Sequence, residues 1–94
     1  MRAIFFEALI DIVRAEGLGI ASGCLYHIDQ LVTDVSMQHA SELRSRATFA
    51  KAYADFEEFV NRMVRDAKAK NYPELHEDTF FAAKSQCGLI FWCA

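Results

Sequence analysis

Phe49, Tyr53, Phe56, Val60, Met63 and Ala67 step along the chain by four, three, four, three and four residues. That spacing returns side chains to one side of an α-helix and to no fixed side of a β-strand, so the stretch is committed to a helix with an apolar seam. Phe59 and Val64 broaden the seam beyond the narrow stripe of a coiled coil, toward the wider face used inside a bundle. Lys51–Asp55, Glu58–Arg62 and Arg62–Asp66 lie four apart on its flanks, each pair adding a few tenths of a kcal/mol, on the order of 0.3. Asn71, Tyr72 and Pro73 end the helix, with Lys68 and Lys70 placed to suit its negative end.

The other segments repeat the helical period without repeating the sequence. From Arg2 to Glu16, Glu7, Asp11 and Arg14 share one narrow face, and Ile4, Phe5, Phe6, Leu9, Ile10, Ile12 and Val13 cover the rest. A helix so largely apolar belongs at the centre of a fold or in an oligomer interface. Gly17 is positioned to stop it in the left-handed conformation. Gly19 and Gly23 then mark a turn, with Ser22 as an expected N-cap. Cys24, Leu25, Ile28, Leu31, Val32, Val35 and Leu43 describe a second amphipathic helix, with Asp29, Gln30, Thr33, Asp34, Gln38 and Glu42 outward. A strand over Cys24–Ile28 is the competing expectation there. The second helix and the seam helix match in length and are joined briefly, which predicts an antiparallel hairpin of the two. A last helix begins at Pro73 or after Asp78 and closes at Gly88, leaving Leu89, Ile90, Phe91 and Trp92 beyond it.

These elements predict an all-α fold, a compact three- or four-helix bundle in one domain over residues 1–94, with the apolar C-terminal segment packed on it. The alternative is an α+β fold in which that segment and Cys24–Ile28 form a small two-stranded sheet. A chain of 94 residues has little core to spare, burying roughly 60–65% of the surface its unfolded form exposes. Its hydrophobic content of 53% exceeds the roughly 45–50% usual in globular domains, so apolar surface is left over for a partner or a second copy. Glu7 and Asp11 interrupt the N-terminal apolar run, which therefore reads as neither a secretory core nor a spanning helix. No membrane association and a cytoplasmic location follow as expectations, and three cysteines without framework spacing agree with them.

Chemistry-bearing residues are sparse. Cys24 and His27, with Cys87 and Cys93, make a loose zinc set, and Cys87 or Cys93 with His76 or His39 makes a loose thiol–imidazole pair. Neither has the tight paired spacing or the orienting third group that such sites use, so no cofactor, no metal and no enzymatic activity are expected. The acids Asp55, Glu57, Glu58, Glu74, Glu77 and Asp78 read as solvated faces or a helix start. Arg62, Arg65 and Lys68 recur every three residues, and Arg44 and Arg46 precede the seam helix. That basic set supports an alternative role as a small regulatory DNA- or RNA-binding protein, against which stands the net charge of −3. A zinc- or thiol-dependent enzyme is the second alternative. The leading expectation is a non-catalytic protein-binding module, an adaptor or an inhibitor that masks a site on a larger protein. Leu89, Ile90, Phe91 and Trp92 are its expected contact residues, since aromatic side chains dominate interface centres. A phage-borne or accessory anti-defence inhibitor fits this class, and so does self-association.

Overall fold

The computed structural model describes the backbone over residues 2–38 and 46–86, and the side chains over 4–33 and 50–86. Among the described residues, four helices and two short strands occur in the order α1 (Arg2–Ala15), β1 (Gly19–Ile20), α2 (Ser22–Gln38), α3 (Arg46–Ala69), β2 (Glu74–Leu75) and α4 (Glu77–Gln86). The expected helical bundle is therefore present, and the small sheet accompanies it. Its strands are not those expected: Gly19 pairs with Glu74 and Ile20 with Leu75 in parallel, while Cys24–Ile28 lies inside α2. No described helix is long and apolar enough to cross a membrane.

Two chain reversals build this arrangement. Gly17 takes a positive φ of 73°, and the amides of Gly17 and Leu18 donate to the carbonyls of Arg14 and Val13. Asn71 takes a φ of 60°, and the amides of Asn71 and Tyr72 donate to Lys68 and Ala67 in the same pattern. Both are Schellman caps, which satisfy the last helical carbonyls and turn the chain back on itself. Glycine reaches the left-handed region freely, and asparagine tolerates it better than most side chains. Each cap is followed at once by a two-residue strand and then by a new helix. Residues 2–38 and 46–86 thus share one helix–cap–strand–helix plan that their sequences do not echo.

Parallel pairing joins the two units. The amides of Gly19 and Ala21 donate to the carbonyls of Pro73 and Leu75 at 3.1 and 2.9 Å. Because both strands run the same way, α2 and α4 leave the sheet side by side. The principal helix neighbours are consequently α1 with α2, α3 with α4, α1 with α3, and α2 with α4. Among the described residues, the α2–α3 pairing expected from matched lengths is not one of these principal neighbours. The strands fasten the two turns to each other.

One apolar cluster fills the space between the four helices. Phe56, Val60, Met63 and Ala67 of the α3 seam are buried, as are Phe59 and Val64 beside it. Phe5 of α1 meets Phe56 edge-on at 5.2 Å, and Phe80 of α4 meets Phe59 at 5.5 Å. Such tilted contacts suit the quadrupoles of aromatic rings and add about 0.5–1.5 kcal/mol to what burial alone supplies.

Candidate functional site

The surface over α2 and α4 departs from the pattern read in the sequence. Leu25, expected in the core, is 40% exposed, and Tyr26 is 64% exposed. On α4, Phe80 and Phe81 are consecutive, and a helix turns about 100° between neighbours, so they cannot share a face. Phe80 takes the core and is 4% exposed, which leaves Phe81 outward at 45%.

His27 joins these outward groups. Its ring stacks on Phe80 at 5.7 Å and meets Phe81 edge-on at 5.0 Å and Tyr26 at 5.5 Å. The His27 ring is thus half-buried among three aromatic rings. Its Nε2 lies 3.8 Å from Oε1 of Glu77, the first residue of α4, so the pair becomes ionic when the ring is protonated. The result is an outward face of Tyr26, His27 and Phe81, linked ring to ring across two helices, with Leu25 exposed next to Tyr26 in the chain. Sequence reasoning missed this face. The signal was the Phe80–Phe81 doublet on a short helix, where one ring must point away from the core.

A second concavity of about 450 Å³ lies where α2 and α4 begin, lined by Cys24, His76, Glu77, Asp78 and Tyr72 among others. Two helix N-termini point into this region, and acids occupy it as the dipoles favour. Thr79 closes the start of α4: its hydroxyl donates to the His76 carbonyl at 2.6 Å and accepts the His76 amide at 3.1 Å. Asp78 accepts from the Tyr72 hydroxyl at 2.9 Å and from Lys70 Nζ at 3.3 Å. The Tyr72 hydrogen bond, aided by Lys70, holds the Asp78 carboxyl below its ordinary range. Burial pushes the Cys24 thiol up to about 12, with the Glu77 and Asp78 charges adding to the effect. A thiol kept protonated in this way is a poor nucleophile and a poor metal ligand at neutral pH. Among the described residues, no group of three or more His, Cys, Asp or Glu side chains is gathered to hold a metal ion.

The basic residues are distributed along α3. Arg62 bridges to Glu58 at 2.9 Å, Lys68 pairs with Glu16 at the end of α1, and the Nε of exposed Arg65 donates to the Asn61 carbonyl at 3.4 Å. Arg62 and Arg65 border a polar cleft of about 310 Å³ with Asp66 and Gln86. Arg46 opens α3, but its side chain lies outside the described set, as does all of Arg44. His39, Cys87, Cys93 and the expected contact residues Leu89, Ile90, Phe91 and Trp92 also lie outside the described residues. Comparison of the chain with protein-family models, curated proteins and solved structures finds no match.

Proposed function

We propose that this chain is a non-catalytic protein-binding module, a small cytoplasmic adaptor or an inhibitor that masks a site on a larger protein. The observation that carries the reading is the outward face of Tyr26 and Phe81 around His27. A chain already rich in apolar residues leaves two aromatic side chains in water on one face, although its core is small. Covering what each leaves exposed would contribute on the order of 1 kcal/mol, so a partner gains at least as much from each ring as from an exposed charge pair. Tyrosine also combines apolar area with a hydroxyl that water or a partner can satisfy, which suits a surface that is alternately exposed and covered. Leu89, Ile90, Phe91 and Trp92 remain within the proposed partner-facing set, as apolar residues three to six positions past α4. The nucleic-acid alternative draws less support, because Arg62 and Lys68 already spend their charges on Glu58 and Glu16.

The test is comparative affinity capture with the full chain and with Tyr26→Ser and Phe81→Ser, coupled to light scattering of each purified protein. A defined complex formed by the parent and lost in both variants, at unchanged melting temperature, supports the reading. Complexes indifferent to both substitutions would remove it. A parent that forms a dimer which both substitutions dissolve would assign the face to a second copy of the chain.

A further inference from the structure

His27 touches every ring of the outward face, and Glu77 is the charge set against it. Glu77 and Phe81 lie four residues apart on α4, so the carboxylate and the exposed ring share one side of that helix. At 3.8 Å the contact between Nε2 and Oε1 is too long for a hydrogen bond, and both side chains keep water, His27 at 30% and Glu77 at 55% exposure. Among the described residues, Glu77 is the only ion-pair partner of His27. The titratable groups around the pair leave it to itself. On α2, Tyr26 adjoins the ring, and Cys24, one turn earlier, is kept neutral by burial. On α4, Asp78 is held by Tyr72 and Lys70, and Lys84 lies about two turns beyond Glu77. On α1, the exposed Glu7, Asp11 and Arg14 make no pair with His27, and α3 reaches Phe80 through Phe59.

We infer that the partner's cover over this face takes up one proton on His27, so that the complex is favoured as pH falls through the histidine range. The inference rests on the protein-binding reading and gives that interaction its regulation. With His27 neutral, an apolar partner would withdraw Glu77 from water as a lone carboxylate, and an uncompensated buried charge is costly. With His27 protonated, the same cover encloses a net-neutral pair, whose attraction strengthens as water leaves. Burial of the ring by itself favours its neutral form. Beside an ionised Glu77 that preference loses, because the neutral ring leaves the carboxylate without a counter-charge. The bound form therefore holds more protons than the free form, and linkage makes affinity rise with acidity, by at most about tenfold per pH unit for one site.

The experiment is an NMR titration of the full chain with N-acetyl-tryptophan amide, an uncharged stand-in for a partner's aromatic anchor. It is run at about pH 8 and about pH 5.5, on either side of the histidine range, with N-acetyl-arginine amide as the control. Saturable shifts of Tyr26, His27 and Phe81 are expected, with affinity roughly three- to tenfold tighter at the lower pH. Glu77→Gln, at an exposed position, should reverse the trend, since burial alone then disfavours the protonated ring. A loss of packing would not change that sign. Equal affinity at both pH values, tighter binding at the higher one, or no saturable shift at either would overturn the inference. A trend left unchanged by Glu77→Gln would overturn it as well. So would an arginine probe that outbinds the tryptophan probe at pH ~8, because the partner would then supply the cation. A partner complex that needs Tyr26 and Phe81 but forms equally at both pH values would sink the proton linkage while the protein-binding reading stands.

Discussion

A β-carbon placed on Gly23, in the first turn of α2, would lie 2.4 Å from Oε1 of Glu77 at the start of α4. The bare Gly23 backbone thus lets the Glu77 carboxylate cross between the two helices and reach His27. The blocking atoms belong to the end of a flexible side chain, not to backbone, so a methyl at Gly23 would displace the carboxylate without moving α4. Replacing a helical glycine by alanine gains roughly 0.5–1 kcal/mol through backbone entropy. The partly exposed Glu77–His27 contact contributes less than about 1 kcal/mol. Gly23→Ala is therefore expected to leave stability equal or up to ~1 kcal/mol higher in a denaturant titration. The substitution should also abolish the response of the His27 ring signals to Glu77→Gln. A clear loss of stability would show that the crossing carboxylate matters more to the fold than an exposed pair should.

Asp78 links the end of α3 to the start of α4 through Tyr72 and Lys70. Native contacts hold its carboxyl below the ordinary value of 3.8, so the folded chain binds that proton less readily than the unfolded chain. The corresponding stability is complete above the ordinary aspartate range and is lost as pH falls through the lower native value. Tyr72→Phe removes the first of those contacts. At neutral pH the variant should be less stable than the parent, and the gap should close as the solution is acidified below pH ~3.8. Urea titrations of both proteins at a series of pH values measure the gap, and a gap constant down to the acid limit would count against the hydrogen bond as its source.

Cys24 gives the opposite limb. Its thiol is raised from 9.0 to about 12 in the folded chain by burial. A raised value means stability that is fully present below the unfolded value and disappears as pH rises between 9.0 and about 12. The same burial controls reactivity. In a Cys87→Ser, Cys93→Ser background, iodoacetamide should label Cys24 only through opening of the bundle, with a rate that rises with denaturant in step with the unfolded fraction. Labelling of the native protein at the rate of a free thiol at pH 8 would contradict the buried setting.

The heptad-like seam of α3 was legible because it is long, and every one of its described members lies in or against the core. The left-handed stop at Gly17 was equally plain. Neither strand was visible: two residues carry no alternation to read, and their pairing depends on a partner 55 positions away in the chain. Matched helix lengths, the cue for an α2–α3 hairpin, likewise carried no sign of the distant parallel pairing that brings α2 beside α4. At the site, the period of α2 placed Leu25 with the core residues. Only the position of α1 and α4 shows that this side of the helix has no further protein layer among the described residues.

Phe80 and Phe81 offer the sharpest comparison of core and surface, since one peptide bond separates them. Phe80 is 4% exposed and packs on Phe59, which is completely buried. Removing its ring takes away buried area and leaves a cavity, a cost of roughly 3–5 kcal/mol. A domain of this size has a total stability on the order of 5–10 kcal/mol, so Phe80→Ala should be close to unfolded at physiological temperature. Phe81, at 45% exposure, meets His27 and Phe80 in T-shaped contacts at 5.0 and 5.5 Å. Phe81→Ala should cost about 1–2 kcal/mol, well below Phe80→Ala, and keep the cooperative melt, because nearly half of its area is already in water in the free protein. Thermal and denaturant unfolding of the two variants side by side checks the assignment. If Phe81→Ala destabilised the chain as much as Phe80→Ala, the ring would be structural, and the outward face proposed for partners would lose its central member.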